Sequence, residues 1–197
     1  QIYTDFSGGI DVARGAAELF GIVLPENFRQ PLFATSMADF WTRWHISLTM
    51  WMREYVFYPV MLSRPVLALS KKANKRFGKF AGKLVPSTIT PFVVFFLMGI
   101  WHGADAPHIL YGIYNAFAVA AAVALDPINT KIKQFFKVNT EVFSYKVFCM
   151  IRVFIIGSGS RLIVKAPSII ALKHMVKSIF TSVDLNFLFG INDAWYT

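Results

Sequence analysis

Two long stretches without a formal charge constrain this chain more than any other feature of its sequence. Between Lys83 and Asp105 lie 21 uncharged residues, and between Asp105 and Asp126 lie 20 more. A helix rises about 1.5 Å per residue, so either stretch is long enough to cross about 30 Å of hydrocarbon. The sequence therefore predicts two transmembrane helices, over residues 84–101 and 108–125.

The composition also favours a membrane protein over a soluble one. Of the 197 residues, 55% are hydrophobic and only 16% are charged, whereas about a quarter of the residues in an ordinary soluble domain are charged. The formal net charge is +9, but the cations lie in short clusters between apolar stretches and not along one polar face. This arrangement indicates a membrane surface as the partner and disfavours a nucleic-acid binder.

The remaining segments predict an all-α fold, a polytopic transmembrane helical bundle with interfacial or re-entrant helices. A third candidate span, 145–164, contains three cations and the flexible segment 157–160, so it could be broken or tilted. Residues 167–180 have the spacing of an amphipathic interfacial helix, which places His174 at the surface. Residues 36–60 mix aromatics with four charges, which fits an interfacial or re-entrant helix better than a span.

The extent of the chain also suggests how it is organised. It begins with Gln1 and shows no signal-peptide pattern, so we expect 1–197 to be a single membrane domain that begins inside a longer protein. The lone cysteine, Cys149, lies in an apolar run and cannot form an internal disulfide. We interpret Cys149 as a core residue.

Two basic clusters predict the orientation of the spans. The first precedes the 84–101 span and contains no acid; its members are Lys71, Lys72, Lys75, Arg76, Lys79 and Lys83. The second follows the 108–125 span; its members are Lys131, Lys133 and Lys137. Both are predicted to be cytoplasmic loops. Residues 102–107 should then lie deep in the membrane or towards its outer side.

His102 is the strongest candidate for chemistry. It ends an uncharged span, and an ionisable group at membrane depth suggests a function. Imidazole also accepts protons near neutral pH, and the flanking Gly99 and Gly103 allow a substrate or another backbone to approach closely. The alternative is a histidine that hydrogen-bonds to a neighbouring helix.

The other polar candidates have simpler interpretations. At helical spacing His45 shares a face with Trp41 and Met52, which favours a packed histidine over a catalytic one. Arg43 lies four residues after Asp39, the spacing of an ordinary surface ion pair.

Four further residues are candidates for helix ends. Asp5 or Ser7 precedes a helix expected over 10–20 and could cap it, as Ser36 could cap the segment that follows it. His108 opens the second span and ranks below His102 and His45. The sequence contains no P-loop, dinucleotide fingerprint, paired-cysteine metal motif or Gly-x-Ser-x-Gly elbow, so histidine chemistry is the main enzymatic option.

Three motifs taken together resemble the bacterial membrane-bound O-acyltransferases. They are Tyr-Thr-Asp-Phe-Ser-Gly-Gly at 3–9, Asp-Phe-Trp-Thr-Arg-Trp-His-Ile-Ser-Leu at 39–48, and Gly-Ile-Trp-His-Gly-Ala at 99–104, in matching order and spacing. Residues 51–59 extend the match. The likeness is greatest to alginate and peptidoglycan O-acetyltransferase membrane subunits, with the teichoic acid D-alanyl transferases as near kin. Family members are longer, with several membrane helices before the first motif, so the resemblance implies a C-terminal fragment.

The sequence departs from the family pattern at two places. Thr42 stands where the family usually has a second arginine, and 163–166 stands where an aromatic pair often precedes Arg-Ala. Neither change touches a histidine. The resemblance implies that His102 is the catalytic histidine and His45 the second histidine of the site. Architectural or substrate-path roles are implied for five other residues: Asp5, Asp39, Arg43, Trp44 and Trp101.

The function implied is O-acyl transfer by a multi-pass protein of the bacterial cytoplasmic membrane. His102 would act as general base on a hydroxyl of an extracytoplasmic cell-envelope polysaccharide, with an acetyl group as the expected acyl group. The donor would be a thioester, acetyl-CoA or an acyl carrier, with no bound cofactor and no metal. Expected partners are the lipid bilayer, the polysaccharide, and an acyl carrier protein or extracytoplasmic acetyltransferase, but no nucleic acid.

Two alternatives remain open. One is D-alanyl transfer to teichoic acid from a carrier protein, which uses the same chemistry. The other is a non-catalytic membrane transporter subunit, in which intramembrane histidines line a polar path.

Overall fold

The computed structural model describes residues 2–181, and these residues are helical almost throughout. The helices are α1 (Ile2–Leu19), α2 (Met37–Arg43), α3 (Ile46–Met52), α4 (Tyr58–Met61), α5 (Arg64–Phe77), α6 (Lys79–His102), α7 (Ala106–Phe135), α8 (Phe143–Lys165) and α9 (Ile169–Thr181). A 3₁₀ turn covers Pro31–Phe33, and a π-helical turn joins α3 to α4 over Arg53–Phe57. The predicted all-α fold is confirmed.

Three helices, α6, α7 and α8, are long and apolar enough to cross a membrane. All three candidate spans are therefore present, but they are longer than predicted. In particular, α7 continues through Asp126 and Pro127 to Phe135. Proline lacks an N–H and leaves one carbonyl of the preceding turn without its helical partner, which membrane helices tolerate where neighbouring groups or water bond that carbonyl.

The antiparallel helices α6 and α7 cross at two glycines. A Cβ atom added to Gly112 would lie 2.4 Å from the Phe95 carbonyl oxygen, and one added to Gly99 would lie 2.6 Å from the His108 carbonyl oxygen. Only glycine therefore permits this backbone approach, as small residues do at many membrane helix crossings. The core beside the crossing contains Phe95, Met98 and Ala116.

Polar side chains hold α8 against α7. Asn115 is buried, and its amide donates to the Ser160 hydroxyl at 2.9 Å and to the Tyr111 carbonyl at 2.8 Å. The Tyr114 hydroxyl donates to the Ile156 carbonyl at 3.0 Å. Residues 157–160 are continuous helix, so of the two alternatives for this span, broken or tilted, the break is wrong. Gly159 gives the Tyr114 side chain room to reach α8, since a Cβ atom added there would lie 2.8 Å from the Tyr114 hydroxyl.

The segment over 36–60 is not one helix. Its start was predicted correctly, since the Asp39 N–H donates to the Ser36 hydroxyl at 3.0 Å and the Asp39 carboxylate accepts from the Thr35 N–H at 3.1 Å. The helix then ends at Arg43, and His45 adopts left-handed backbone angles (φ 46°, ψ 57°) before α3 begins. An isolated antiparallel bridge between Trp44 and Phe28 replaces helical bonding there.

Helix α1 differs from the expectation at its start. It begins at Ile2 and runs through the two glycines at 8–9, so Asp5 lies in its first turn and does not cap a later helix. The sequence suggested a start further along because paired glycines weaken a helix.

The first basic cluster was also assigned to the wrong local structure. Most of it belongs to α5 and is not a loop, and α6 begins directly after Gly78. The Ser70 hydroxyl donates to the Gly82 carbonyl at 2.7 Å, which holds α5 against α6. Two minor predictions are confirmed, because His174 is exposed on α9 and Cys149 is buried.

Candidate active site

His102 is the last residue of α6, where the chain turns towards α7. Its ring contacts the ring of Trp101 at 4.7 Å between centroids and the ring of Tyr111 at 5.8 Å, both edge to face. Tyr111 is buried, whereas His102 is exposed. Among the described residues none hydrogen-bonds a His102 ring nitrogen. Aromatic contacts therefore position the ring and leave its nitrogens accessible.

The turn after His102 is fixed by Asp105. The carboxylate of Asp105 caps α7 by accepting the His108 N–H at 3.0 Å, and the His108 Nδ1 lies 2.6 Å from the same oxygen. These bonds, the backbone one first, lower the pKa of the Asp105 carboxyl below its ordinary value. A side chain at Gly103 would meet the His108 ring at 2.7 Å. This turn joins the ends of α6 and α7 and determines where His102 lies.

His45 lies in a different environment. Its Nδ1 is 3.2 Å from the Asn27 side-chain oxygen, which also accepts from the Ser47 N–H and hydroxyl. Burial lowers the pKa of His45 below its ordinary value, so the neutral ring is favoured at pH 7. Because the Asn27 oxygen is an acceptor, the neutral ring carries its hydrogen on Nδ1, and Nε2 remains available as an acceptor.

The prediction that His45 shares a helical face with Trp41 and Met52 is wrong. The break before α3 removes the helical register that would have aligned it with Trp41 and Met52. Its ring instead packs edge to face on Phe6 of α1, with 5.1 Å between centroids. The first and second motifs of the sequence are therefore in contact.

Trp44 is the centre of an aromatic cluster beside His45. It stacks on Phe40 and meets Phe28 edge to face, with centroid distances of 5.7 and 5.0 Å. The guanidinium of Arg161, from α8, lies 4.8 Å above its ring. Trp44 thus joins the segment that carries His45 to the last turns of α8.

Two of the predicted site residues form the expected ion pair. The Arg43 guanidinium donates to the Asp39 carboxylate at 2.7 Å, with both side chains about one-third exposed. The pair closes α2 on itself, since Asp39 also takes part in the cap. This geometry fits a role for the pair in supporting the fold of α2.

The structure does not bring every candidate to the histidines. Asp5 is exposed on α1, and Trp101 is 61% exposed although its ring contacts His102. By contrast, the side chains of His45, His108 and Arg161 interact electrostatically with His102. Within residues 2–181 no group of three histidine, cysteine, aspartate or glutamate side chains could hold a metal ion.

Arg161 is the site residue that sequence reasoning missed. It counted only as a charge that weakened the third candidate span. A cation in an otherwise apolar span is itself a signal of function, and it could have been read that way. What the sequence does not contain is the contact with Trp44, which lies 117 positions earlier.

A large cleft lies between α6, α7 and α8. Its volume is about 950 Å³. Its lining includes Lys83 and Lys133 towards the basic end of the helices, and Tyr114 and Ile156 towards the end that carries His102. The cleft therefore extends along much of the length of these helices.

Residues 1–159 match the model of the membrane-bound O-acyltransferase family. The chain belongs to this family. The resemblance carried by the three motifs is thereby confirmed, and with its three membrane-length apolar helices this O-acyltransferase family member is an integral membrane protein.

Several curated relatives of this membrane-bound O-acyltransferase chain act on cell-envelope polymers according to their names. The teichoic acid D-alanyltransferase of Bacillus subtilis is 36% identical over 132 residues, which are 67% of this chain and 31% of the relative. A probable alginate O-acetylase of Pseudomonas syringae and the peptidoglycan O-acetyltransferase of Helicobacter pylori are each 35% identical over 131 residues, 66% of this chain and 22% of the relative. The chain thus spans less than a third of the length of these relatives.

Proposed function

We propose that the protein containing this chain transfers an acyl group from a thioester to a hydroxyl of a cell-envelope polymer, with His102 as general base. The exposed and unbonded ring of His102, at the end of a membrane-length helix, is the observation that carries the proposal. Family membership supplies the reaction class. The relatives named above support a polymer acceptor.

The step uses one histidine for two proton transfers. The His102 ring removes the proton of the acceptor hydroxyl as that oxygen attacks the thioester carbonyl carbon. The carbon–sulfur bond then breaks, the ester remains on the polymer, and the imidazolium returns the proton to the departing thiolate. General-base catalysis of this kind contributes about a hundredfold to ten-thousandfold in rate.

Among the histidines of the described chain, His102 best fits this role. His45 is bonded to Asn27 through Nδ1, and His108 is bonded to Asp105. His108 is mostly buried and one of its ring nitrogens is engaged by the carboxylate that caps α7, whereas both ring nitrogens of His102 are unbonded within residues 2–181. His45 keeps Nε2 available, so we assign it an orienting or assisting role.

The supporting residues act by holding this arrangement. Trp101 and Trp44 limit the positions that the His102 ring and the His45 segment can take, and the Arg43–Asp39 pair fixes α2. Asp5 lies on α1, the helix whose Phe6 side chain contacts the His45 ring. We assign Asp5 to the substrate path or to structural support.

We place the protein in the bacterial cytoplasmic membrane as a multi-pass protein, with the basic ends of α6 and α7 in the cytoplasm. Cations next to short loops favour that side. His102 then faces the outer half of the membrane, and the 950 Å³ cleft offers a thioester donor, acetyl-CoA or an acyl carrier, a route from the cytoplasmic end. A carrier protein or an extracytoplasmic acetyltransferase would complete the system.

The test is the ester content of envelope polysaccharide in cells that express the full-length protein. We expect mild base to release an acid, identified by mass spectrometry, from cells with the wild type but not with His102→Ala at equal membrane levels. His174→Ala, at an exposed position on α9, is the matched control and should retain the ester. The acid released distinguishes acetyl from D-alanyl transfer. Equal ester in wild type and His102→Ala would contradict the proposal and favour the transporter interpretation.

A further inference from the structure

Arg161 lies at the same end of the helical bundle as His102. Helix α8 runs antiparallel to α7, because Lys133 near the end of α7 lies over the Tyr145 ring while Asn115 near its start bonds Ser160. Arg161 follows Ser160 directly. It is therefore displaced by most of the length of α8 from the basic clusters at the cytoplasmic end.

The Arg161 guanidinium is placed among the groups of the candidate active site. Its central carbon lies 4.8 Å above the ring of Trp44, the residue that precedes His45 in the sequence. Its charge also acts on the His102 and Tyr111 side chains, whose rings touch each other. Arg161 thus contacts the segment of the second motif, and its charge reaches the ring of the proposed general base.

This cation has no anionic partner in the described part of the chain. The ion pairs within residues 2–181 engage other bases: Arg14, Arg29, Arg43, His108 and Lys146. Arg161 is partly buried in a membrane-spanning helix, where an unpaired charge is costly. A positive charge kept there without a carboxylate is suited to bind an anion that arrives with the substrate.

The N–H donors of Arg161 are open, because none of the described residues accepts a hydrogen bond from its guanidinium. A guanidinium has five N–H donors in one plane, and contact with a ring is not a hydrogen bond to an acceptor oxygen. The planar edge can donate two parallel hydrogen bonds to a carboxylate or a phosphate group. Trp44 therefore holds the cation in place without using its donors.

We propose that Arg161 binds an anionic oxygen of the acceptor polymer, in a carboxylate or a phosphodiester, and so holds a nearby hydroxyl at His102. The acceptor is favoured over the donor because Arg161 lies at the outer end of α8. The inference rests on the proposed function, and it narrows the acceptor to an anionic polymer. Arg161 is then a residue that determines substrate specificity.

The test separates binding from catalysis. Binding is measured on the full-length protein in lipid nanodiscs with His102→Ala in place, so that no turnover occurs. The probes are an oligouronate, an oligo(glycerol phosphate) and a carboxyl-reduced neutral oligomer, and they distinguish a carboxylate from a phosphodiester. The variants are Arg161→Gln, Arg161→Lys and, as matched control, Lys165→Gln, which removes an exposed cation from the same end of α8.

We expect Arg161→Gln to raise the Kd of at least one anionic oligomer by about tenfold or more. The Kd of the neutral oligomer should not change, Lys165→Gln should alter binding less than about twofold, and Arg161→Lys should be intermediate because ammonium cannot form the paired bonds. Three results would overturn the inference. Arg161→Gln could weaken binding of neutral and anionic oligomers alike, it could weaken binding of none, or the reference protein could fail to bind either anionic oligomer.

Failure of the proposed function would look different. If the wild type made no ester on any oligomer while Arg161→Gln still weakened anion binding, acyl transfer would be contradicted and the anion site would stand. If ester formed equally on anionic and neutral oligomers and did so independently of Arg161, acyl transfer would stand and the anion site would be contradicted.

Discussion

At the scale of single residues, three histidines near the end of the bundle away from the basic clusters differ in what binds their rings. The nitrogens of His102 are accessible, His108 bonds the carboxylate that caps α7, and His45 donates to the Asn27 side chain. The sequence indicated all three as candidates, and hydropathy ranked His102 first. It could not predict the environment of His45, because that depends on Asn27, 18 residues earlier, and on the backbone angles of His45.

The left-handed backbone of His45 gives the first prediction. Asparagine tolerates this conformation, whereas a β-branched residue is a genuine outlier there. We expect His45→Asn to keep the thermal stability of the full-length protein within about 1 kcal/mol, and His45→Val to lower it by about 1 to 3 kcal/mol. The measurement is thermal unfolding in nanodiscs. Equal stability of the two variants would show that the helix break before α3 is absent.

The pH dependence of stability gives the second prediction. Because burial lowers the pKa of His45 in the folded state, the unfolded chain binds a proton more readily, and stability falls as pH drops below about 6.5. Thermal unfolding should show a steeper decline from about pH 7 to pH 5 in the wild type than in His45→Asn. The capping carboxylate of Asp105, with its lowered pKa, titrates below this range. Parallel declines would contradict a buried, neutral His45.

At the scale of elements, the site depends on how α6 and α7 cross. Hydropathy located both helices because a run of uncharged residues is sufficient evidence for a span. Their crossing could not be predicted, since it depends on Gly99 and Gly112 lying opposite backbone carbonyls of the partner helix. The ends of α7 and the continuity of α8 were missed for a related reason, because Pro127 and residues 157–160 break helices only where neighbours do not compensate.

The crossing gives the third prediction. In Gly112→Ala the new Cβ would overlap the Phe95 carbonyl oxygen at 2.4 Å, so the helices must separate, at a cost of about 1 to 3 kcal/mol. The separation would also move His102, which ends α6. We expect lower thermal stability and reduced acyl transfer in the full-length protein.

Gly157→Ala is the matched control, because no atom lies within 4 Å of its added Cβ. It should be neutral or stabilise the protein by about 0.5 to 1 kcal/mol through helix propensity. If Gly112→Ala behaved like Gly157→Ala, the close crossing of α6 and α7 would be wrong.

At the scale of the whole molecule, charged groups are distributed unevenly between the two ends of the spans. The basic residues of α5 and of the end of α7 lie at one end of the spans, while His102, Asp105 and Arg161 lie at the other. The sequence predicted this polarity from lysine placement alone. The sequence could not predict that three elements meet at one site: α1, α8 and the segment before α3. Phe6, Trp44 and Arg161 come together only in the folded chain.

The orientation gives the fourth prediction. We expect a cysteine at Ala104 to react with a membrane-impermeant maleimide added to intact cells, and a cysteine at Asn139 to react only after the membrane is permeabilised. Both positions are exposed, and both variants are made in a cysteine-free form of the full-length protein, which includes Cys149→Ala. Labelling of Asn139→Cys in intact cells, with Ala104→Cys protected, would reverse the topology.

The most direct test of the account is single-turnover acyl transfer by the purified full-length protein in nanodiscs, from a radiolabelled acyl thioester to the acceptor oligomer. If His102 removes the hydroxyl proton, His102→Gln should slow transfer by about a hundredfold to ten-thousandfold, with thermal unfolding and acceptor binding unchanged. Transfer by His102→Gln within a few fold of the wild type would contradict the assignment of His102 as general base.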